Sequence, residues 1–139
     1  MKTKFRSACP ISSTLDVVGD KWSLLIIRDM LLEHKKTFKD ISASHERIAP
    51  SILSARLKLL ESYQLITRTK TPENKKENIY LLTEKGIALA PIIIEFTLWG
   101  DTYMRAYNKI DTIEGLQADK SVIIETIQKK YHSILTRFK

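Results

Sequence analysis

Cys9 is the one thiol in a chain of 139 residues, and the residues before it favour reactivity. Lys2, Lys4 and Arg6 precede it, and the first ten positions contain no acidic residue. Positive charge near a cysteine favours the thiolate, which is the form that oxidants and electrophiles attack. A single thiol can form an intersubunit disulfide, a mixed disulfide with a small thiol, or an alkylated sulfur. The alternative is that Cys9 is a half-buried, small apolar residue in a contact between two subunits.

A second set of residues has the chemistry to contact a polyanion. Two serines and a lysine share one side of a segment with helical periodicity, and four further cations follow them. Hydroxyl and cationic groups donate hydrogen bonds to phosphates and can reach base edges. Taken singly, each lysine is more often a solvated surface charge. The candidate contact residues are Ser51, Ser54, Lys58, Arg68, Lys70, Lys75 and Lys76.

Residue patterns for catalysis or metal binding are sparse. His34, His45 and His132 are too far apart for a local metal motif, there is no Cys-x-x-Cys, and the four glycines form no phosphate-binding loop. Cys9 alone could at most indicate a single-thiol peroxidatic enzyme, and no partner base is visible. We therefore expect no enzyme, no metal and no cofactor.

The positive charge is concentrated in two parts of the chain. Twenty-three Lys and Arg against sixteen Asp and Glu give a net charge of +7. Residues 1–10 carry +3 and residues 33–85 carry +4, whereas residues 11–32 carry −1 and residues 86–139 only +1. The excess favours a polyanionic partner for the N-terminal tip and the middle of the chain. The nearly balanced C-terminal third indicates a different role.

The apolar runs are short and no disulfide framework exists. The longest runs, Leu24–Ile27 and Ile92–Ile94, fall far below the roughly 18 residues that a membrane span requires. The basic N-terminus is not followed by the apolar stretch of a signal peptide. We therefore expect a cytoplasmic protein that does not enter a membrane.

Apolar periodicity predicts four helices in the first half of the chain. The first region runs from Thr14 to Leu32 with a break at Gly19-Asp20, and a small packed helix follows over 38–44. Pro50 fits the first position of the next helix, where its missing N–H costs nothing. That helix has a small, polar side with one cation and an opposite apolar side, formed by Leu53, Leu57 and Leu60.

Arg56 is an exception on this helix. By helical angle it lies among the apolar side chains, between Ile52, Leu60 and Tyr63. An arginine in such surroundings is expected to pair with an acid on a neighbouring helix. We therefore predict a structural role for Arg56 rather than a base contact.

Two short segments rich in β-forming residues, 65–71 and 78–82, enclose the polar stretch 72–77. This pattern predicts a β-hairpin with a six-residue tip, with Arg68 and Lys70 on its first strand and two lysines in the tip. The order of helices followed by a hairpin and a long helix is that of a winged helix-turn-helix. The predicted fold is therefore mainly α, with the hairpin as a small wing.

The remainder of the chain is predicted to be helical. Thr83 can cap the helix that follows the hairpin. Pro91 should either kink this helix or mark its real beginning. Gly115 is expected in a loop, and a last helix is predicted over 120–138.

From Cys9-Pro10 to Trp99-Gly100 the sequence resembles the HxlR-type family of winged helix-turn-helix transcriptional regulators, which are MarR-like. The motifs that carry the resemblance are Cys9-Pro10, the octapeptide Leu15-Asp16-Val17-Val18-Gly19-Asp20-Lys21-Trp22, Leu53 with Arg56-Leu57, and Tyr80 with Leu82-Thr83-Glu84-Lys85-Gly86. The resemblance implies a homodimer whose N- and C-terminal helices pair. It further implies binding to near-palindromic operators on double-stranded DNA, usually with repression, and a cysteine before the first helix that senses oxidants or electrophiles.

Some positions depart from the family pattern. The chain reads Ala49-Pro50-Ser51 where the family often begins its recognition helix with Ser-Gln-Lys, and Ala55 replaces a further glutamine. Long polar side chains that read base edges are therefore scarce, which indicates more reliance on phosphates and DNA shape. Lys75-Lys76 stand where prolines are common, and they add positive charge to the hairpin.

We expect a winged helix-turn-helix domain over 1–100 and a C-terminal helical extension over 101–139 that contributes to dimerisation. Trp99, Tyr103 and the apolar side chains of the C-terminal tail are too many to cover one small core. The alternative function is a winged helix that binds another protein and never meets DNA. The candidate dimer residues are Leu15, Trp99, Tyr103, Ile123, Ile127 and Tyr131.

Overall fold

A computed structural model describes residues 5–111 and 115–138, which form seven helices and one two-stranded sheet. The chain divides into two compact units between Ile87 and Ala88. In chain order the elements are α1 (Pro10–Val18), α2 (Ser23–Leu32), α3 (Phe38–Ser42), α4 (Pro50–Ser62), β1 (Ile66–Thr69), β2 (Ile79–Leu82), α5 (Glu84–Ile87), α6 (Ala90–Tyr103) and α7 (Lys120–Thr136).

The predicted break between the first two helices is confirmed. Gly19 ends α1, and its N–H donates to the Leu15 carbonyl at 2.8 Å. A Cβ at Gly19 would lie 2.3 Å from that oxygen, so any side chain there would displace the helix backbone. Asp20 then accepts hydrogen bonds from the N–H groups of Trp22 and Ser23, both at 3.0 Å, and these bonds start α2.

The core of the first unit is built on the apolar sides of α2 and α4. Pro50 occupies the first turn of α4, as predicted, and the backbone alone forms its cap because Ala49 has no side chain that can accept. Leu53, Leu57 and Leu60 are at most 2% exposed. Burying each of these side chains stabilises the fold by about 1.5–3 kcal/mol. The predicted apolar side of α4 is therefore confirmed.

The hairpin is antiparallel, with Ile66 opposite Leu82 and Thr69 opposite Ile79. We call residues 66–82 the wing. The strands are shorter than predicted, so the connection covers residues 70–78 rather than 72–77, and Lys70 lies just beyond β1. The N–H of Tyr80 also donates to the Lys36 carbonyl at 2.7 Å, which attaches β2 to the segment between α2 and α3.

The family motif Leu82-Thr83-Glu84-Lys85-Gly86 fixes the base of the wing to the end of α4. Thr83 Oγ1 donates to the Gln64 carbonyl at 2.6 Å and accepts from the Gly86 N–H at 3.2 Å, so it caps α5 as predicted. A Cβ at Gly86 would lie 2.3 Å from the Leu65 carbonyl oxygen. Glycine is therefore required there, because α5 packs directly on the backbone that connects α4 to β1.

The second unit contains α6 and α7. Pro91 lies in the first turn of α6, so it marks the beginning of this helix and does not kink it. Lys120, the first residue of α7, pairs with Glu95 of α6. α7 ends at Thr136, two residues before the predicted end, and Gly115 lies in a loop with φ of 86°. Within this unit α6 packs against α7.

Candidate nucleic-acid interface

The polar side of α4 is open to solvent. Ser51, Ala55 and Lys58 are exposed and Ser54 is half-buried. Small side chains around a single lysine let the backbone of this helix approach another surface closely. The structure thus places the three α4 candidates, Ser51, Ser54 and Lys58, on the side away from the core.

Arg56 attaches α4 to the start of α2. Its Nη1 lies 3.4 Å from Asp20 Oδ1, and both side chains are about 30% exposed. This pairing confirms the predicted structural role of Arg56. The acid lies just before α2 rather than within a neighbouring helix. Because both groups are partly solvated, the ion pair orients α4 more than it stabilises the fold.

Asp20 is held in its charged form. Burial disfavours the carboxylate, but hydrogen bonds from Ser23 Oγ and from the N–H groups of Trp22 and Ser23, with the charge of Arg56, outweigh it. Together they keep the pKa of Asp20 below its ordinary value. The anchor of α4 therefore remains ionised throughout the neutral pH range.

A second anchor fixes the turn before α4. Arg28 of α2 donates from Nη1 and Nη2 to the two carboxylate oxygens of Glu46, at 3.0 and 2.9 Å. The hydrogen bonds from Arg28 hold the pKa of Glu46 below its ordinary value. Such a two-pronged pair fixes direction as well as distance. We did not predict this pair, since 18 residues separate its members and neither belongs to a local motif.

Asp29 supports Arg28 from inside the fold. Its side chain is only 2% exposed and accepts from Arg28 Nε at 2.8 Å and from Lys35 Nζ at 3.4 Å. The hydrogen bonds to Glu46 and then to Asp29 raise the pKa of Arg28 above its ordinary value despite burial. The guanidinium of Arg28 is therefore occupied by Glu46 and Asp29 within the fold and is not free to contact a ligand.

The wing presents cations along its open edge. Arg68, Lys70, Lys75 and Lys76 are all exposed. Arg68 differs from the others, because its Nε lies 3.6 Å from Glu61 Oε2 at the end of α4. Over the described ranges 5–111 and 115–138, no ion pair involves Lys58, Lys70, Lys75 or Lys76. These four lysines therefore keep their charge available for an anionic partner.

Cys9 is exposed and directly precedes α1 as its N-cap residue. Arg6 donates from Nε to Asp16 Oδ1 at 2.6 Å, so this cation is committed to α1 rather than to the thiol. Phe5 packs against Tyr63 at the end of α4, with ring centroids 6.2 Å apart. The segment that precedes Cys9 is therefore attached to the end of α4. Lys2 and Lys4, the other two cations named for Cys9, lie outside the described residues.

Several large apolar side chains on two helices remain uncovered. On α1, Ile11 is 72% and Leu15 52% exposed. On α6, Trp99 and Tyr103 are 60% and 61% exposed and pack on each other with ring centroids 5.5 Å apart, beside the exposed Phe96. The structure thus places the candidates Leu15, Trp99 and Tyr103 on surfaces that a second subunit could cover.

The candidates on α7 differ among themselves. Ile123 and Ile127 are half-buried, and Val122 beside them is 54% exposed. Tyr131 is 0% exposed in a single chain. The prediction for Tyr131 is therefore corrected: a side chain already covered within one chain adds no dimer surface, so it is a core residue.

Neither a membrane span nor a metal cluster is found in the described part of the chain. None of the helices there is both long and apolar enough to cross a bilayer. Likewise, among residues 5–111 and 115–138, His, Cys, Asp and Glu side chains do not gather in groups of three that could hold a metal ion.

Comparisons with solved structures give the same architecture. PA1607, a candidate transcription factor, superposes with a TM-score of 0.67 at 32% identity, over 78% of this chain and 72% of that one. The redox regulator HypR in its reduced form superposes with a TM-score of 0.60 at 28% identity, over 71% of this chain and all of the other. The predicted fold, a mainly helical winged helix-turn-helix, is confirmed.

The family is equally clear from the sequence comparisons. The HTH-type transcriptional regulator YodB of Bacillus subtilis (strain 168) is 36% identical over 96 residues, which cover 68% of this chain and 85% of YodB. The model of the HxlR-like helix-turn-helix family matches residues 17–108. These relatives regulate transcription and are not enzymes, as we predicted for this chain. The protein therefore belongs to the HxlR-like helix-turn-helix family of transcriptional regulators.

Proposed function

We propose that this protein is a homodimeric repressor that binds near-palindromic operators on double-stranded DNA. The observation that carries the proposal is a set of four exposed lysines, one on α4 and three on the wing, that form no ion pair with any residue the structure describes. Several cations on one helix and on the wing suit a polyanion, because they can neutralise successive phosphates. A regulator that binds the chromosome works in the cytoplasm, and we place the protein there.

In this proposal α4 enters the major groove and the wing follows the adjacent backbone or minor groove. The first turn of a recognition helix is the part that reaches base edges. Here that turn contains Pro50 and Ser51, so direct readout by long side chains is limited. Lys58 can reach a guanine or a phosphate. Sequence preference then depends on few base contacts and, to a larger extent, on the shape of the DNA.

A dimer supplies the second half of the operator contact. The exposed aromatic side chains of α6 and the exposed apolar residues of α1 are the surfaces that we assign to the partner subunit. Two recognition helices related by a twofold axis should lie about 34–36 Å apart, which is one turn of DNA. The twofold axis accounts for the near-palindromic operators, and the spacing sets the distance between their half-sites.

Replacing Lys58 with alanine is expected to weaken operator binding about tenfold, because the lysine is the one cation on the exposed side of α4. Operators would first be selected from fragments of the source genome, and affinities would then be measured by fluorescence anisotropy. Lys109→Ala is the matched control, since Lys109 is an exposed lysine outside both α4 and the wing. Equal affinity of the Lys58 and Lys109 variants would contradict the proposed orientation of α4.

We further propose that Cys9 makes DNA binding responsive to oxidants or electrophiles. The exposed thiol and the attachment of its segment to α4 support this role. YodB, the 36% identical relative, has structures of its reduced, diamide-treated and quinone-bound forms. In a chain with one cysteine, diamide would accept two electrons and two protons from two thiols. These thiols are two Cys9 side chains of a dimer, or Cys9 and a small thiol.

Diamide is expected to lower the operator affinity of the wild type at least tenfold and to leave Cys9→Ser unchanged. The loss should reverse with dithiothreitol, because the product is a disulfide. Non-reducing electrophoresis and mass spectrometry would identify that disulfide. Equal affinity of the two proteins before and after diamide would remove the sensing role while leaving DNA binding intact.

A further inference from the structure

The turn between α3 and α4 contains an arginine in a backbone conformation that suits glycine. Arg47 has φ of 58°, in the left-handed region. Its Cβ then crowds the following carbonyl, a cost that glycine avoids and that asparagine bears more easily. The turn therefore requires a positive φ at residue 47, which glycine or asparagine would adopt more easily than arginine does.

Both neighbours of Arg47 are fixed. Glu46 is held by the two hydrogen bonds from Arg28, and Ile48 is only 6% exposed. The N–H of Arg47 donates to the Ser44 carbonyl at 3.1 Å, which closes the turn. The backbone at residue 47 is therefore held from both sides, and its side chain starts from a fixed position.

The guanidinium of Arg47 has no partner in the part of the chain that the structure describes. The side chain is exposed, and no hydrogen bond or ion pair involves it there. The contrast with Arg28 and Arg56 is informative, because each of those arginines pairs with an acid. Glu46 is the adjacent residue, but Arg28 already occupies both of its oxygens.

We infer that Arg47 contacts a DNA phosphate beside the N-terminal end of α4. The inference rests on the DNA binding proposed above and adds a contact residue that sequence reasoning did not find. Arg47 lies three residues before Pro50, at the end of α4 that approaches the groove. A guanidinium matches the geometry of a phosphate and donates two hydrogen bonds to it. A fixed turn that presents such a group loses little freedom when DNA binds.

The test compares variants that both relieve the backbone conformation and remove the charge with a control that relieves the conformation alone. Arg47→Gly and Arg47→Asn both suit positive φ and remove the charge. Gln64→Gly is the matched control, since Gln64 is exposed and has φ of 62° but carries no charge. Thermal melting and DNA affinity would be measured for all three full-length proteins, on the selected operator and on unrelated duplex DNA.

Both Arg47 variants are expected to melt at or above the wild-type temperature and yet bind DNA at least about tenfold more weakly. The loss should be equal on operator and unrelated DNA. The slope of log affinity against log salt should fall by about 0.9 per subunit. Gln64→Gly should bind as the wild type does. If both Arg47 variants bind DNA as tightly as the wild type does, the phosphate contact of Arg47 is wrong but the proposed function stands. If the wild type itself binds no DNA, the proposed function is wrong as well.

Discussion

Raising the salt concentration from 50 to 200 mM is expected to lower the DNA affinity of the dimer by about three to five decades. Each lysine or arginine that neutralises a phosphate releases condensed counterions, so affinity falls steeply with salt when about 6–10 phosphates are contacted. The exposed lysines of α4 and the wing supply such contacts in both subunits. Anisotropy titrations at four or five salt concentrations would give the slope.

The wing accounts for part of this slope. The double variant Lys75→Ala plus Lys76→Ala should weaken binding to operator and to unrelated DNA by similar factors, and it should flatten the salt dependence. The matched control is Lys109→Ala plus Lys130→Ala, which removes the same charge from exposed positions outside α4 and the wing. Unchanged slopes in the wing variant would contradict the proposed contact between the wing and the DNA backbone.

The same titration separates DNA binding from the rival function. A winged helix that binds a protein through an apolar patch would show a much flatter salt dependence, because apolar burial releases no counterions. A slope near zero for every duplex tested would therefore support the protein-binding alternative. A steep slope shared by operator and unrelated DNA, with tighter binding to the operator, is the result that we expect.

The elements that could be predicted from the sequence depend on local rules. Gly19 has no room for a Cβ, Pro50 and Pro91 fit the first turn of a helix, and Thr83 accepts from the N–H three residues ahead. Each of these signals acts within one turn of the chain. Helix order and the start of α4 were therefore predictable. The start of the first helix was not, because α1 begins at Pro10 rather than at Thr14, and the wing connection is longer than its turn residues indicate.

The parts that could not be predicted depend on tertiary pairing. Arg28 and Glu46 are 18 residues apart, and only the fold shows that they meet. Arg47 was not among the candidates, because its residue type gives no sign of its positive φ. Tyr131 belonged to an apolar stripe that could face a partner or its own chain, and only burial in the single chain decides between them.

Arg56 shows where local and tertiary reasoning meet. Its helical angle placed it among leucines, so pairing with an acid was predictable. The identity of that acid was not, because Asp20 caps α2 and pairs with Arg56 at the same time. Asp20 thus starts α2 and orients α4.

Replacing Trp99 with glutamate is expected to convert the dimer to monomers and to lower operator affinity at least a hundredfold. Phe96, Trp99 and Tyr103 follow one another at helical spacing on α6, and each is at least 60% exposed in a single chain. Burying an aromatic side chain contributes about 1.5–3 kcal/mol, so three of them in each subunit supply much of a dimer contact. A carboxylate in the middle of that contact would have to lose its water without a partner.

Sedimentation equilibrium at micromolar concentration would give the mass, and anisotropy would give the affinity for one and for two half-sites. Ser133→Glu is the matched control, because it adds the same charge to an exposed position on α7 and removes no aromatic group. The Trp99 variant should bind a full operator no more tightly than a single half-site, since a monomer has one recognition helix. If the Trp99→Glu protein remains dimeric, the subunit contact does not depend on α6. If the wild type is already a monomer, the proposed twofold operator is wrong.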